Sequence, residues 1–126
     1  MSRWQYFNPH PSGKRIGDCS IRALCKALDL DWKTLHLTLS VHSYALEDMQ
    51  LSNRAIHSIL KQHGFHRRLL DDFPEDYTVA DFCKDHPTGT YVLATDGHVV
   101  CVKDGEYFDT WDSGDEIPIY YWTKGG

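Results

Sequence analysis

The chain has no surplus of positive charge: 18 acidic residues stand against 13 basic ones, for a net charge of −5. A groove that tracks phosphates needs the opposite sign, so nucleic acid is not an expected partner. The acidic balance favours a basic or neutral substrate. No stretch approaches the ~20 apolar residues that cross a bilayer, so no membrane partner is expected either. The opening segment, Met1-Ser2-Arg3-Trp4-Gln5-Tyr6-Phe7-Asn8-Pro9-His10-Pro11, holds no unbroken apolar region of the kind a secretory signal carries. The expected location is therefore cytoplasmic, with the four cysteines reduced. Cys19, Cys25, Cys83 and Cys101 contain no Cys-x-x-Cys pair, which leaves a zinc site without support. No metal and no other cofactor is expected. Internal repeats and low-complexity tracts are also missing.

What remains is a composition that folds. Hydrophobic residues make up 41% of the chain and charged residues 25%, ordinary shares for a globular domain. At 126 residues the chain reads as a single domain over 1–126, because two halves would be too small to hold cores easily.

Residues 1–16, with their prolines and Ser12-Gly13, read as an irregular segment laid over the surface. From about Asp18 to Leu28 the apolar residues Ile21, Leu24, Cys25 and Leu28 fall on one helical face. Asp31 is placed to cap a second helix starting at Trp32, with Leu35 and Leu39 inward. The stretch from His42 to Leu51 fits neither helix nor strand clearly. Ser52 caps a third helix carrying Ala55, Ile56, Ile59 and Leu60, which Gly64 stops. An acidic connection at 71–76 follows, and Thr78 then caps a short helix to about Lys84. Beyond the turn at His86-Pro87-Thr88-Gly89 the pattern changes to strands: Thr90–Thr95, His98–Lys103, Glu106–Trp111 and Ile117–Trp122. Asp104-Gly105 is a two-residue hairpin signal. Helices first and an antiparallel sheet of about four strands second make an α+β protein.

The cysteines separate by position. Cys25 and Cys83 lie in the apolar stripes of their helices, and Cys101 lies on the strand face opposite His98. All three read as small buried hydrophobes. Cys19 falls in the first turn of its helix, off the apolar stripe, where unpaired N–H groups and the helix dipole favour thiolate. Asp18 opposes that effect, and Arg22 at i+4 is placed to neutralise Asp18. Two readings of Cys19 stand: a half-buried residue at a helix start, or an activated thiol.

Of the eight histidines, His98 alone opens an apolar strand. His36, His42, His57, His63 and His66 lie on or beside helices without a partner pattern and read as solvated; His10 and His86 flank prolines. A two-residue turn at Asp104-Gly105 pairs Lys103 with Glu106 and His98 with Trp111. By alternation, residues 98, 109 and 111 then share a face, which makes Asp109 a diagonal neighbour of His98. Asp112 is the alternate acid, should the strand bend. The competing reading makes Asp109 to Gly114 a solvated turn.

In this order of elements the chain resembles the papain-like cysteine peptidase fold. The nearest likeness is to the peptidases that remove double-glycine leader peptides and to small proteins of bacteria and their phages. The matching segments are Gly17-Asp18-Cys19 with its helix, Thr90-Tyr91-Val92-Leu93, Gly97-His98-Val99-Val100-Cys101-Val102 and Tyr107-Phe108-Asp109-Thr110. The resemblance implies a cysteine hydrolase acting on a peptide or protein substrate. Cys19 would be the nucleophile, His98 the base and later the acid, and Asp109 the orienting carboxylate. The Cys19 backbone N–H would supply one oxyanion donor. In such enzymes a glutamine shortly before the cysteine supplies the other; here position 13 is Gly, which leaves Asn8 or Gln5 as candidates if the N-terminal segment folds back. Two other functions fit the same residues. One is an inactive module that binds a protein through Trp4, Tyr6, Phe7, Tyr120, Tyr121 and Trp122. The other is acyl transfer or deamidation by the same three residues.

Overall fold

In the computed structural model, which describes residues 3–50, 52–70 and 75–124, local signals and long-range pairing share the work of building the fold. The helices start where a side chain can serve the first turn. Asp31 accepts from Thr34 N (2.8 Å) and opens α2, Trp32–Leu46. Ser52 accepts from Ala55 N (3.2 Å) and opens α3, Asn53–Gln62. Thr78 and Asp81 form a reciprocal capping box at the start of α4, Val79–Asp85. The first helix, α1, spans Cys19–Leu28 and differs from these: Asp18 holds its N-cap position without making a cap bond. α2 also runs on through His42 to Leu46, so the first half of the ambiguous stretch is helix; Leu51 in it and 71–74 of the acidic connection lie outside the described residues.

The sheet has six strands among the described residues, in the order β1-β5-β4-β3-β6-β2. Its centre is the expected hairpin pair: β3 (Thr90–Thr95), β4 (His98–Lys103) and β5 (Glu106–Asp109). Lys103 pairs with Glu106 and Cys101 with Phe108, the register that the Asp104-Gly105 turn dictates. Both turn residues have positive φ, 51° and 78°, as a tight hairpin requires. β6 (Tyr120–Lys124) lies between β3 and β2, antiparallel to both.

Four expectations need correction. The N-terminal segment is not wholly irregular: Trp4–Tyr6 forms β1, parallel to β5, so the sheet is mixed rather than antiparallel. Phe65–Leu69 forms β2 at the other edge, which raises the strand count from about four to six. β5 ends at Asp109, not Trp111, and β6 starts at Tyr120, not Ile117. The cause at β5 is a bend after Asp109, whose side chain accepts from the N–H of Thr110 (2.9 Å).

Both faces of the central strands are covered. Val92, Val99 and Cys101 pack with Ile21, Leu24, Leu35, Ile56 and Trp122 on the side of α1, α2 and α3. Leu93, Val100 and Val102 pack with Val79, Phe82 and Tyr107 on the side of α4. Alternation along the strands therefore feeds two cores. No helix among the described residues is long and apolar enough to cross a membrane.

Candidate active site

The start of β4, the end of β5 and the start of α1 meet at one end of the sheet. They carry His98, Asp109 and Cys19 respectively. His98 follows Gly97, whose φ of 78° closes the turn between β3 and β4 and aims the strand. The His98 ring donates from Nε2 to Asp109 Oδ2 at 2.6 Å. Its other nitrogen, Nδ1, is left for Cys19, which hydrogen-bonds to the ring. The Trp111 ring lies 4.9 Å from the His98 ring, centre to centre, tilted by 49°. Gly17, Cys19, Ser20, Asn53, Gly97 and His98 line a groove of about 300 Å³ over this row.

Asp109 is fully buried and accepts five hydrogen bonds. Oδ1 takes Arg22 Nε (3.1 Å), Arg22 Nη2 (2.8 Å) and Thr110 N (2.9 Å). Oδ2 takes His98 and the Ser113 hydroxyl, each at 2.6 Å. Such a filled coordination fixes the carboxylate as an acceptor and cannot be turned away from His98 without breaking other bonds. Arg22 is itself buried and extends the row: Nη1 donates to Asp18 Oδ1 (2.7 Å), and Trp32 Nε1 donates to Asp18 Oδ2 (2.8 Å). Arg22 thus neutralises Asp18, as its i+4 spacing implies, and also joins it to Asp109.

These contacts set the charges. Burial raises the Cys19 thiol, but the hydrogen bonds from His98 and the Val99 backbone, with the charges of His98 and Arg22, bring it below its ordinary value. Burial works to lower His98, yet the bonds to Asp109 and Cys19 raise it to about 9. Asp109 is penalised by burial and still held below the usual carboxylate range by His98, Ser113 and Arg22. All three shifts favour one state: thiolate, imidazolium and carboxylate in a row.

Because both Asp18 oxygens are engaged by Arg22 and Trp32, no side chain caps α1. The first-turn N–H groups at Cys19 and Ser20 are the donors the helix leaves open beside the sulfur. The candidate side-chain oxyanion donors are placed elsewhere. Gln5, in β1, donates to Glu106 Oε2 at 2.6 Å. Asn8 spends both amide hydrogens on the carbonyls of Gly13 and Lys14, each at 3.1 Å, closing its own loop. Neither lines the groove. Asp112, the alternate acid, accepts from the Tyr107 hydroxyl and from Gly114 N (3.1 Å), and does not bond His98. Cys25, Cys83 and Cys101 are buried, and burial pushes each thiol up to about 12.

Arg22, Ser113 and Trp111 complete the site without having been singled out for it. Arg22 was legible only as a partner for Asp18; its second bond depends on the sheet end coming under α1. Among the aromatic residues considered for partner binding, Trp122 is fully buried and Trp4, Phe7, Tyr120 and Tyr121 are half-buried, so only Tyr6 is presented to solvent. His57 is not simply solvated: it is half-buried and accepts from Trp122 Nε1 at 2.9 Å. Among the described residues no group of three or more His, Cys, Asp or Glu is arranged to hold a metal. Compared with known proteins, the chain matches no family model, no curated protein and no solved structure.

Proposed function

We propose that this chain is a thiol hydrolase of papain-like arrangement that cleaves an amide bond in a peptide or protein. The observation that carries the reading is His98 held between the Cys19 thiol and a fully buried carboxylate. The Cys19 thiolate attacks the substrate carbonyl carbon, and the carbonyl oxygen takes the charge. Cys19 and Ser20 N–H groups at the uncapped start of α1 receive that oxyanion. His98, as imidazolium, gives its proton to the leaving nitrogen, and the C–N bond breaks to leave a thioester on Cys19. Neutral His98 then takes a proton from water, whose oxygen displaces the sulfur and releases the acid. Asp109 keeps the ring oriented and stabilises its charged form in both halves. An amine in place of the water makes the same site an acyl transferase, and a side-chain amide as substrate makes it a deamidase.

The test is site-resolved alkylation by iodoacetamide at about pH 6, where an ordinary thiol of pKa ~8.5 is almost wholly protonated. Cys19 is expected to react well ahead of Cys25, Cys83 and Cys101. His98→Ala is expected to slow that reaction by about 10²-fold or more. Equal or slower labelling of Cys19 in the wild-type protein sinks the hydrolase and leaves a binding module.

A further inference from the structure

A cavity of about 440 Å³ lies beside the catalytic groove. Asn53 lines both, and its side-chain amide donates to the Tyr120 hydroxyl on the far side. The two spaces thus share one lining side chain, Asn53 at the start of α3. The cavity is built by α3, the edge strand β2 and its neighbour β6, which bring Arg54, His57, Lys61, Arg67 and Tyr120 together. Among the described residues its charged lining is cationic, in a chain whose net charge is −5.

The cationic groups are differently engaged. Arg54 is ion-paired with Asp48 at 3.4 Å. Arg67 lies over the Tyr120 ring at 5.3 Å, a contact that holds the guanidinium against the cavity wall. Lys61 stands one helical turn from His57 on the same face of α3. His57 accepts from Trp122 through Nδ1, which fixes the neutral tautomer with its proton on Nε2 and makes that nitrogen a donor. Burial and the charges of Arg67 and Lys61 hold His57 below its ordinary value, in keeping with the neutral form. Leu46 and the Tyr120 ring give the cavity an apolar wall for a short aliphatic stem.

We propose that this cavity is a substrate subsite that takes a carboxylate, that of an acidic side chain close to the scissile bond, with Lys61 and Arg67 as its charge partners. The inference rests on the hydrolase reading, since it makes the cavity part of that enzyme's substrate cleft. Whole-chain charge favours a basic or neutral substrate, but the local field beside the thiol has the opposite sign. Selectivity is set by the groups within reach, because charges farther than ~8–10 Å are screened at ordinary salt.

Peptidyl chloromethyl ketones give the test, in a series with Glu, Gln or Lys at each position near the reactive carbon and an amidated or free C-terminus. Each rate of Cys19 modification is divided by the same protein's rate with iodoacetamide. One Glu position is expected to exceed its Gln counterpart by about tenfold or more, with Lys slowest, as a charge-assisted bond predicts. Lys61→Gln with Arg67→Gln is expected to erase the Glu preference, and Lys61→Glu with Arg67→Glu to invert it toward Lys. Direct binding of fluorescein-labelled Glu and Gln peptides to Cys19→Ala gives the same comparison without any thiol chemistry. Equal rates or affinities for Glu and Gln overturn the subsite while selective iodoacetamide labelling leaves the hydrolase standing. A preference that follows only the free C-terminus overturns the side-chain assignment. Unselective iodoacetamide labelling together with a Glu preference in binding also overturns it, because the cavity then serves no hydrolase.

Discussion

Four cysteines sit in two kinds of place, and the contrast between them defines the molecule. In the interior, Cys25, Cys83 and Cys101 meet apolar neighbours, and burial pushes each thiol up to about 12. At the sheet end Cys19 is also substantially enclosed, yet its thiol falls below the ordinary value because His98 and Arg22 stand against it. Burial alone therefore does not decide the state of a thiol. In a poorly solvated place, neighbouring charge counts for more in either direction.

The largest effect that tests this contrast lies in Arg22. Both regions are buried, but one keeps two carboxylates and a guanidinium where the other keeps hydrocarbon. Arg22→Ala leaves Asp18 and Asp109 facing each other without their cation and is expected to cost about 3–5 kcal/mol in urea unfolding. Arg54→Ala removes an exposed pair with Asp48 and is expected to cost under about 1 kcal/mol. Similar losses from the two substitutions show that the buried row contributes no more than a surface pair.

Much of the sheet end was readable in the sequence because it rests on local rules. The hairpin at Asp104-Gly105 fixes the register of β4 and β5, and alternation then makes Asp109 the neighbour of His98. The helix signal around Ile21, Leu24 and Cys25 places Cys19 at a first turn. What resisted reading depends on distant partners. β1 is three residues long and pairs with β5 about a hundred positions away, and β2 has four of its five residues exposed, so neither shows an inward-outward pattern. Without β2, Arg67 has no place, and the cationic cavity is invisible. Ser113 joins Asp109 only because the chain bends after β5. The fate of Gln5 and Asn8 turned on hydrogen bonds to Glu106 and to a local loop that no spacing announces.

A second, smaller effect separates the thiols by pH. His98, raised to about 9, supports the fold fully below about 6.5, its ordinary value, and that support is lost as pH rises through about 9. Cys19, lowered, contributes in the opposite sense: its support is present above the ordinary thiol value and lost as pH falls through its folded value. Over the interval where both groups shift, one gain offsets the other, and the pair itself adds little slope to the wild-type unfolding free energy. Cys19→Ala removes the offset and also Cys19's share in raising His98; the share due to Asp109 remains, so its stability is expected to fall more steeply than wild type as pH rises above about 6.5. Cys101→Ala removes a thiol that stays protonated in the fold but ionises in the unfolded chain above about 8.5, so its curve is expected to fall less than wild type towards about pH 9. Urea unfolding at a series of pH values measures all three; parallel curves for wild type and Cys19→Ala show that Asp109 alone does not hold His98 above its ordinary value.

The smallest effect concerns Ser113, and it asks whether the carboxylate or its surroundings govern the sheet end. Its hydroxyl is one of five donors to Asp109 and, like His98, meets Oδ2 at 2.6 Å. Ser113→Ala deletes that donor while four others remain, so Asp109 stays charged and paired. The expected cost in stability is about 1 kcal/mol, below the ~1.5–3 kcal/mol typical of a bond to a charged group, because four other donors still hold Asp109. Its effect on the thiol has a definite direction. With Ser113 gone, Oδ2 keeps His98 as its only donor, the ring's hold on the proton strengthens, and Cys19 alkylation at about pH 6 should be preserved. A drop in labelling as large as that of His98→Ala gives Ser113 the task of positioning Asp109, and the comparison between the two cysteine environments would then rest on the bend after β5 rather than on the charges themselves.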